Sequence, residues 1–202
     1  VALADGSHVI LNGDSTLTVR LGRRTRQVRM AEAQAVFDVA KDPSRPFLIT
    51  AGERQVRVVG TRFDVLNRNG AVQVTVQRGM VEVRPSATPK AEPLARLTVG
   101  QTLSHSPGAQ RDTVGQADPE VALAWADGRL VFRHQRLADV VQALNRYATT
   151  PIVVDDDARD LPVTATLVID RDEVMARRLC DFLPLSLERR NGVLRLVRRS
   201  EG

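Results

Sequence analysis

The sequence predicts a mainly β protein with an α+β portion: an all-β N-terminal module followed by a small domain of two tandem βαβ units. Three observations predict it. From Gly6 to Val83 apolar residues alternate with Arg, Gln, Thr and Asp at a period of two, the pattern of half-buried strands. A proline-rich loop and a helix start at Asp118-Pro119 then interrupt that pattern. Beyond them the period moves to that of a helix in two stretches, each flanked by short apolar runs. We therefore expect domains at residues 1–118 and 119–202, since 202 residues suffice for two compact units.

In the first module Val9 and Leu11, Leu17 and Val19, and Phe47 and Ile49 each offer one inward face, as do Val72, Val74 and Val76 against Gln73, Thr75 and Gln77. Asn69-Gly70 separates the strand-like stretches 61–66 and 71–76, and both residues tolerate the positive φ of a type I′ hairpin turn. Asn12-Gly13 and Arg78-Gly79 mark further turns. Pro85, Pro89 and Pro93 make residues 85–95 a loop, because proline neither donates to a sheet nor continues a helix. Residues 96–99 and 101–103 are strand-like and are expected to rejoin the first sheet, whereas 104–115 are polar and irregular.

Asp118 as N-cap and Pro119 at the first helical position open a helix into residues 121–125. Leu137, Val140, Val141, Leu144 and Tyr147 then form one helical stripe, ended by Thr149-Thr150-Pro151 and flanked by strands at 129–133 and 152–155. The order repeats with a strand at 163–169, a helix at 172–183 carrying Met175, Leu179, Phe182 and Leu183, and a strand at 185–188. Asp170 and Glu173 have the spacing of a capping box, and Pro184 stops the helix. Asn191-Gly192 turns the chain into a last strand at 193–197.

Composition and motifs narrow the function. No run approaches the 18 or more apolar residues of a membrane-spanning helix. The chain opens at Val1 without a signal-peptide pattern, and we expect a mature or excised soluble part of a longer protein. One cysteine, Cys180, excludes an intrachain disulfide and a cysteine-based zinc site. Net charge is +5; the first hundred residues hold 15 basic and 9 acidic groups, the remainder 14 and 15. A strand-rich basic nucleic-acid-binding module is thus an alternative, but single-strand readers pair basic residues with aromatic platforms, and here there are one Trp, one Tyr and five Phe, mostly at expected core positions. Arg23-Arg24, Arg26 and Arg29, like Arg189-Arg190, Arg195 and Arg198-Arg199, read as solvated strand faces, and Trp125 reads as a domain-joining anchor.

Chemistry-bearing groups are sparse. His8, His105 and His134 are far apart and match no metal-ligand spacing. Cys180 sits among expected core positions of a helix. Asp155-Asp156-Asp157 with Asp160 lacks the glycine and the bidentate glutamate of a calcium loop. No glycine-rich phosphate cradle and no nucleophile elbow is present, and no carboxylate pair of the glycosidase kind can be placed. We expect a binding module with no catalytic residue, cofactor or metal.

Ala4-Asp5-Gly6-Ser7 with Val9, Leu11 and Asn12, then Ala33 and Val36-Phe37-Asp38-Val39-Ala40, Asp42-Pro43, Arg45-Pro46-Phe47, Val59-Gly60-Thr61-Arg62-Phe63-Asp64-Val65, and Val74, Val76, Gly79, Val81-Glu82-Val83 resemble the periplasmic module of FecR-type anti-sigma regulators. Ala124-Trp125, Gly128, Leu130 and Phe132, with the repeated βαβ order, look like the short N-terminal domain of secretins and TonB-dependent receptors, which follows the first module in such regulators. Two departures stand out: no side-chain cap precedes Leu137, and Val163-Thr164-Ala165-Thr166 lacks a glycine near the strand end.

The resemblance implies the periplasmic sensor region of a single-pass anti-sigma factor. It would bind the N-terminal signalling domain of a TonB-dependent outer-membrane transducer loaded with an iron chelate such as a siderophore. The sigma factor would be held by a cytoplasmic segment absent from this chain, and site proteases of regulated proteolysis would act on the regulator. Nucleic acid is not an expected partner, although a nucleic-acid or cell-envelope binding module stays the alternative. For the contact we expect an exposed strand edge or groove of the second domain, carried by Arg129, Val131 and Arg133 and by Val193, Arg195, Leu196, Val197 and Arg199.

Overall fold

Alternating inward and outward side chains build the first part of the chain into two six-stranded sheets. In this computed structural model, which describes residues 1–199, the chain divides into two compact units, Val1–Ala126 and Asp127–Gly202. One sheet runs β1 (His8–Leu11), β4 (Ala33–Asp38), β7 (Arg62–Arg68), β8 (Ala71–Arg78), β11 (Gln101–His105) and β12 (Thr113–Gln116). The other runs β10 (Ala95–Leu97), β9 (Val81–Pro85), β6 (Arg54–Val58), β5 (Phe47–Ala51), β3 (Arg26–Met30) and β2 (Leu17–Leu21). All these pairings are antiparallel except β3 with β5.

The core joins inward faces of both sheets. Phe37 stacks on Phe63 at 5.5 Å between ring centroids and meets Phe47 edge-on at 6.2 Å. Val28, Ile49, Val56, Val65, Val74, Val83 and Leu103 complete one apolar cluster. The loop after Pro85 does not return the chain to one sheet, as the sequence suggests: Ala95–Leu97 joins β9, and Gln101–His105 joins β8 in the other sheet. The polar stretch after Ser104 contains the edge strand β12, whose residues are mostly exposed and therefore carry no apolar alternation.

Two backbone positions need glycine for different reasons. Asn69 and Gly70 have φ of 50° and 75°, as a type I′ turn requires, and join β7 to β8. Gly60 has no such need, but a Cβ there would stand 2.8 Å from Lys41 Cα. Gly60→Ala is therefore expected to cost about 1–3 kcal/mol through a forced backbone shift, read as a lower midpoint in urea unfolding.

Asp118 caps α1 (Pro119–Leu123) by accepting from Glu120 N at 2.9 Å, with Pro119 in the first turn. This helix and the 3-10 turn Ala124–Asp127 that follows bury Leu123, Ala124 and Trp125, and α1 packs on β7 and β8 of the first unit. Trp125 anchors inside that unit, where its indole Nε1 donates to Asp64 at 3.1 Å.

The second unit has the expected order, β13 (Arg129–Arg136), α2 (Leu137–Leu144), β14 (Ile152–Val154), β15 (Pro162–Val168), α3 (Asp172–Phe182), β16 (Leu185–Arg190) and β17 (Val193–Arg198). Its pairing crosses between the two repeats. β13 pairs antiparallel with β15, while β14, β17 and β16 form a second sheet in that order. Both helices pack between them on one core that includes Phe132, Leu144, Ile152, Leu167, Met175, Leu179 and Leu196.

The unexplained cap of α2 is supplied by main chain: Leu137 N and Ala138 N donate to Leu161 O at 2.9 Å and Arg159 O at 3.0 Å. The capping box expected at α3 does not form. Arg171 occupies the N-cap position without a side-chain bond, and Asp170 instead accepts from Arg171 N at 2.8 Å. Asp172, in the first helical turn, accepts from Thr149 and Thr150, and these bonds hold its carboxyl down at about 2.

Candidate partner-binding surface

In β13, Leu130 and Phe132 turn toward the core, so alternation sends Arg129, Val131 and Arg133 to the other face. Register sets Arg129 opposite Val168 and Val131 opposite Thr166 on β15. Val168 is 48% exposed, which gives an apolar strip of Val131 and Val168 flanked by the exposed Arg129 and Arg133. Among the described residues β13 pairs with β15 alone, so one of its edges carries main-chain groups without a strand partner. The strand runs three residues beyond its expected end: a bulge lies between Phe132 and Gln135, with His134 at φ 52° and its N–H donating to Thr164 Oγ1 at 3.0 Å.

The other set expected to bind lies differently. β17 is the middle strand of its sheet, paired with β14 on one side and β16 on the other, so it offers no edge for strand addition. Leu196 is fully buried in the core beside Leu194 and is removed from any contact surface. Val193, Arg195 and Val197 alternate onto the other face of the sheet, where Arg195 holds Asp155 at 2.9 Å. Arg199 donates to Cys180 O at 2.9 Å, at the end of α3. Arg129, Val131 and Arg133 thus share one sheet, and the β17 residues belong to another. Sequence reasoning missed Thr166 and Val168, because nothing in the pattern tells which strand pairs with β13.

Three carboxylates of the acidic run 155–160 are tied into structure. Asp155, Asp156 and Asp160 pair with Arg195, Arg159 and Arg136 at 2.9, 3.4 and 2.8 Å. Among the described residues no group of three or more His, Cys, Asp or Glu is disposed to hold a metal. His105 is buried beside Arg54, which grips Asp112 through Nε at 2.9 Å and Nη2 at 2.7 Å. Burial alone would raise the Asp112 pKa, but bonds from Arg54 and His105 outweigh it and hold the carboxyl below its ordinary value. This clamps β6 to the loop before β12. Burial pushes the Cys180 thiol up, which disfavours the thiolate. The free strand edge, the apolar strip and the flanking guanidinium groups lie together on the sheet of β13 and β15.

Residues 1–82 match the family model described as FecR protein, a stretch that runs from the first residues through β8 into β9. That stretch of the first unit is similar to the FecR family. Two crystal structures of a candidate anti-sigma factor from Parabacteroides distasonis ATCC 8503 share the fold of the whole chain: TM-scores are 0.77 and 0.76 at 22% identity, covering 99% of this chain and 94% and 93% of theirs. The fold beyond residue 82 is therefore shared as well. No curated protein matches the chain. No helix among the described residues is long and apolar enough to cross a membrane.

Proposed function

We propose that this chain is the periplasmic sensor region of a FecR-type anti-sigma regulator. Its second unit binds the N-terminal signalling domain of a TonB-dependent outer-membrane transducer, and that contact biases proteolysis of the regulator and release of the sigma factor in iron-chelate signalling. The observation that carries this reading is the FecR match over residues 1–82. The likeness in fold to a candidate anti-sigma factor along nearly the whole chain supports it.

The contact proposed is β-augmentation on the free edge of β13, with Val131 packing beside a side chain of the added strand on the same sheet face and Arg129 and Arg133 setting orientation and on-rate. Titration calorimetry of the whole chain against the signalling domains of the transducers from the same cell tests it. One domain is expected to bind, and Val131→Asp is expected to weaken it at least tenfold, about 1.4 kcal/mol. Binding by none of the domains overturns the function; undiminished binding by Val131→Asp overturns only the placement.

A further inference from the structure

The second sheet of the first unit turns one face to the core and leaves the other open. Register places the outward side chains in two rows across the strands. Arg20, Gln27, Leu48, Arg57, Glu82 and Arg96 form one; Thr18, Arg29, Thr50, Gln55 and Arg84 form the next. At the β9 end a carboxylate is already seated on this face: Glu82 lies 3.2 Å from Arg57, 3.0 Å from Arg84 and 3.4 Å from Arg96. Burial would raise its pKa, but the guanidinium groups, Arg84 first, hold it below the ordinary value.

At the β2–β3 end the same kind of seat lacks its carboxylate. Arg20 and Arg29 are exposed, and among the described residues neither has a hydrogen-bond or ion-pair partner for its guanidinium group. Thr18 stands opposite Arg29 and Arg20 opposite Gln27, so the two arginines are diagonal neighbours, about 7–8 Å apart at their Cα atoms, a span their long side chains close. Arg23 and Arg24, also exposed, lie in the turn beside them. A depression of about 450 Å³ lies here, lined by Thr18, Arg20, Gln27, Arg29, Thr50 and Gln55 with Val28 and Leu48.

We propose that this end of the sheet is a docking surface for an acidic peptide segment of a partner protein, whose carboxylates sit on Arg20 and Arg29 as Glu82 sits on Arg57, Arg84 and Arg96. Charge complementarity sets the occupant: the face supplies guanidinium forks, which grip planar carboxylates in two bonds, and the neighbouring Thr and Gln side chains supply neutral donors and acceptors for a peptide main chain. No aromatic ring lines the depression, so bases would have no platform to stack on. Its one outward apolar side chain, Leu48, is too little to anchor a membrane surface. The proposal does not rest on the transducer reading, which concerns the second unit.

The test is an NMR titration of the ¹⁵N-labelled whole chain with a short synthetic peptide alternating Asp and Ala. Shifts are expected to saturate and to centre on Thr18, Arg20, Gln27, Arg29 and Thr50, and the affinity is expected to fall as salt rises. The double variant Arg20→Gln/Arg29→Gln is expected to bind at least tenfold more weakly with an unchanged circular-dichroism spectrum. Arg96→Gln, at the occupied end, should bind within twofold of the parent. Shifts spread over the arginines of the second unit, or an undiminished response in the double variant, overturn the proposal. So does tighter binding at the same residues by a single-stranded oligonucleotide of equal charge or by phosphatidylglycerol vesicles.

Discussion

Arg26→Ala is expected to destabilise the first unit by about 3–5 kcal/mol, because it strips the partner from a buried charge. Arg26 is wholly buried at the start of β3. Its Nη1 donates to Asp5 Oδ2 at 2.8 Å and Ala40 O at 2.9 Å, its Nε donates to Arg45 O at 2.8 Å, and its guanidinium lies 5.3 Å from the centroid of the Phe47 ring. One side chain thus fastens the N-terminal turn and the segment before β5 to the sheet. Alanine would leave the Asp5 carboxylate and two carbonyls without these donors in a dry site. Urea unfolding of three proteins checks the argument. The double variant Asp5→Asn/Arg26→Met should lose less than Arg26→Ala, since no buried ion is left alone; an Arg26→Ala midpoint equal to that of the parent would refute it. Burial raises the Asp5 pKa, yet Arg26 and Ser7 bring it below its ordinary value. The pair therefore stabilises above the usual carboxylate range and fades as pH falls through that lowered pKa.

Arg26 also marks how far pattern reading reaches. It stands two residues before Val28 and four before Met30, on the inward face, yet its charge groups it with Arg23, Arg24 and Arg29, which are exposed. Period alone would have turned it inward; expectation from residue type turned it out. The strands of the first unit were legible where alternation is clean, as in β8, and the hairpin at Asn69-Gly70 was legible because only a few residues accept its φ values. β12 was not, because a short edge strand buries too little to need apolar residues. In the second unit the order of elements was legible and the pairing was not. Order follows from local period, whereas the choice of β15 over β14 as partner of β13 depends on how both helices fill the core. That choice decides the candidate surface. It gives β13 a free edge and puts β17 in the middle of a sheet, with Leu196 inside, so three of the eight residues expected to bind, Arg129, Val131 and Arg133, lie along that edge. Helix caps were illegible for a similar reason, since α2 is capped by carbonyls of a turn more than twenty residues away.

Asp64 is expected to make the first unit lose stability as pH rises from about 4 to about 7. It lies in β7 between Phe63 and Val65, which face the core, so its carboxyl points to the opposite face, where the segment around Trp125 covers it. Burial raises its pKa to about 7; Gln34, donating to both oxygens at 3.2 Å, and Trp125, donating at 3.1 Å, lower it but do not offset the burial. The native chain then holds a proton that the unfolded chain, titrating near 3.8, has released. Stability is full below the unfolded value, declines through the window and levels off above the folded one. A shift of roughly three units corresponds to about 4 kcal/mol as an upper figure. Asp64→Asn keeps an oxygen for the indole N–H and removes the titration. Relative to the parent, the variant should gain about 2–4 kcal/mol between pH 5 and pH 8 in urea unfolding, and a constant difference across that range would sink the assignment. The chain has one tryptophan, so the indole reports directly. Emission from Trp125 should change with a midpoint near neutral pH in the parent and stay level in Asp64→Asn, which ties the stability change to this carboxyl and to no other group in the unit.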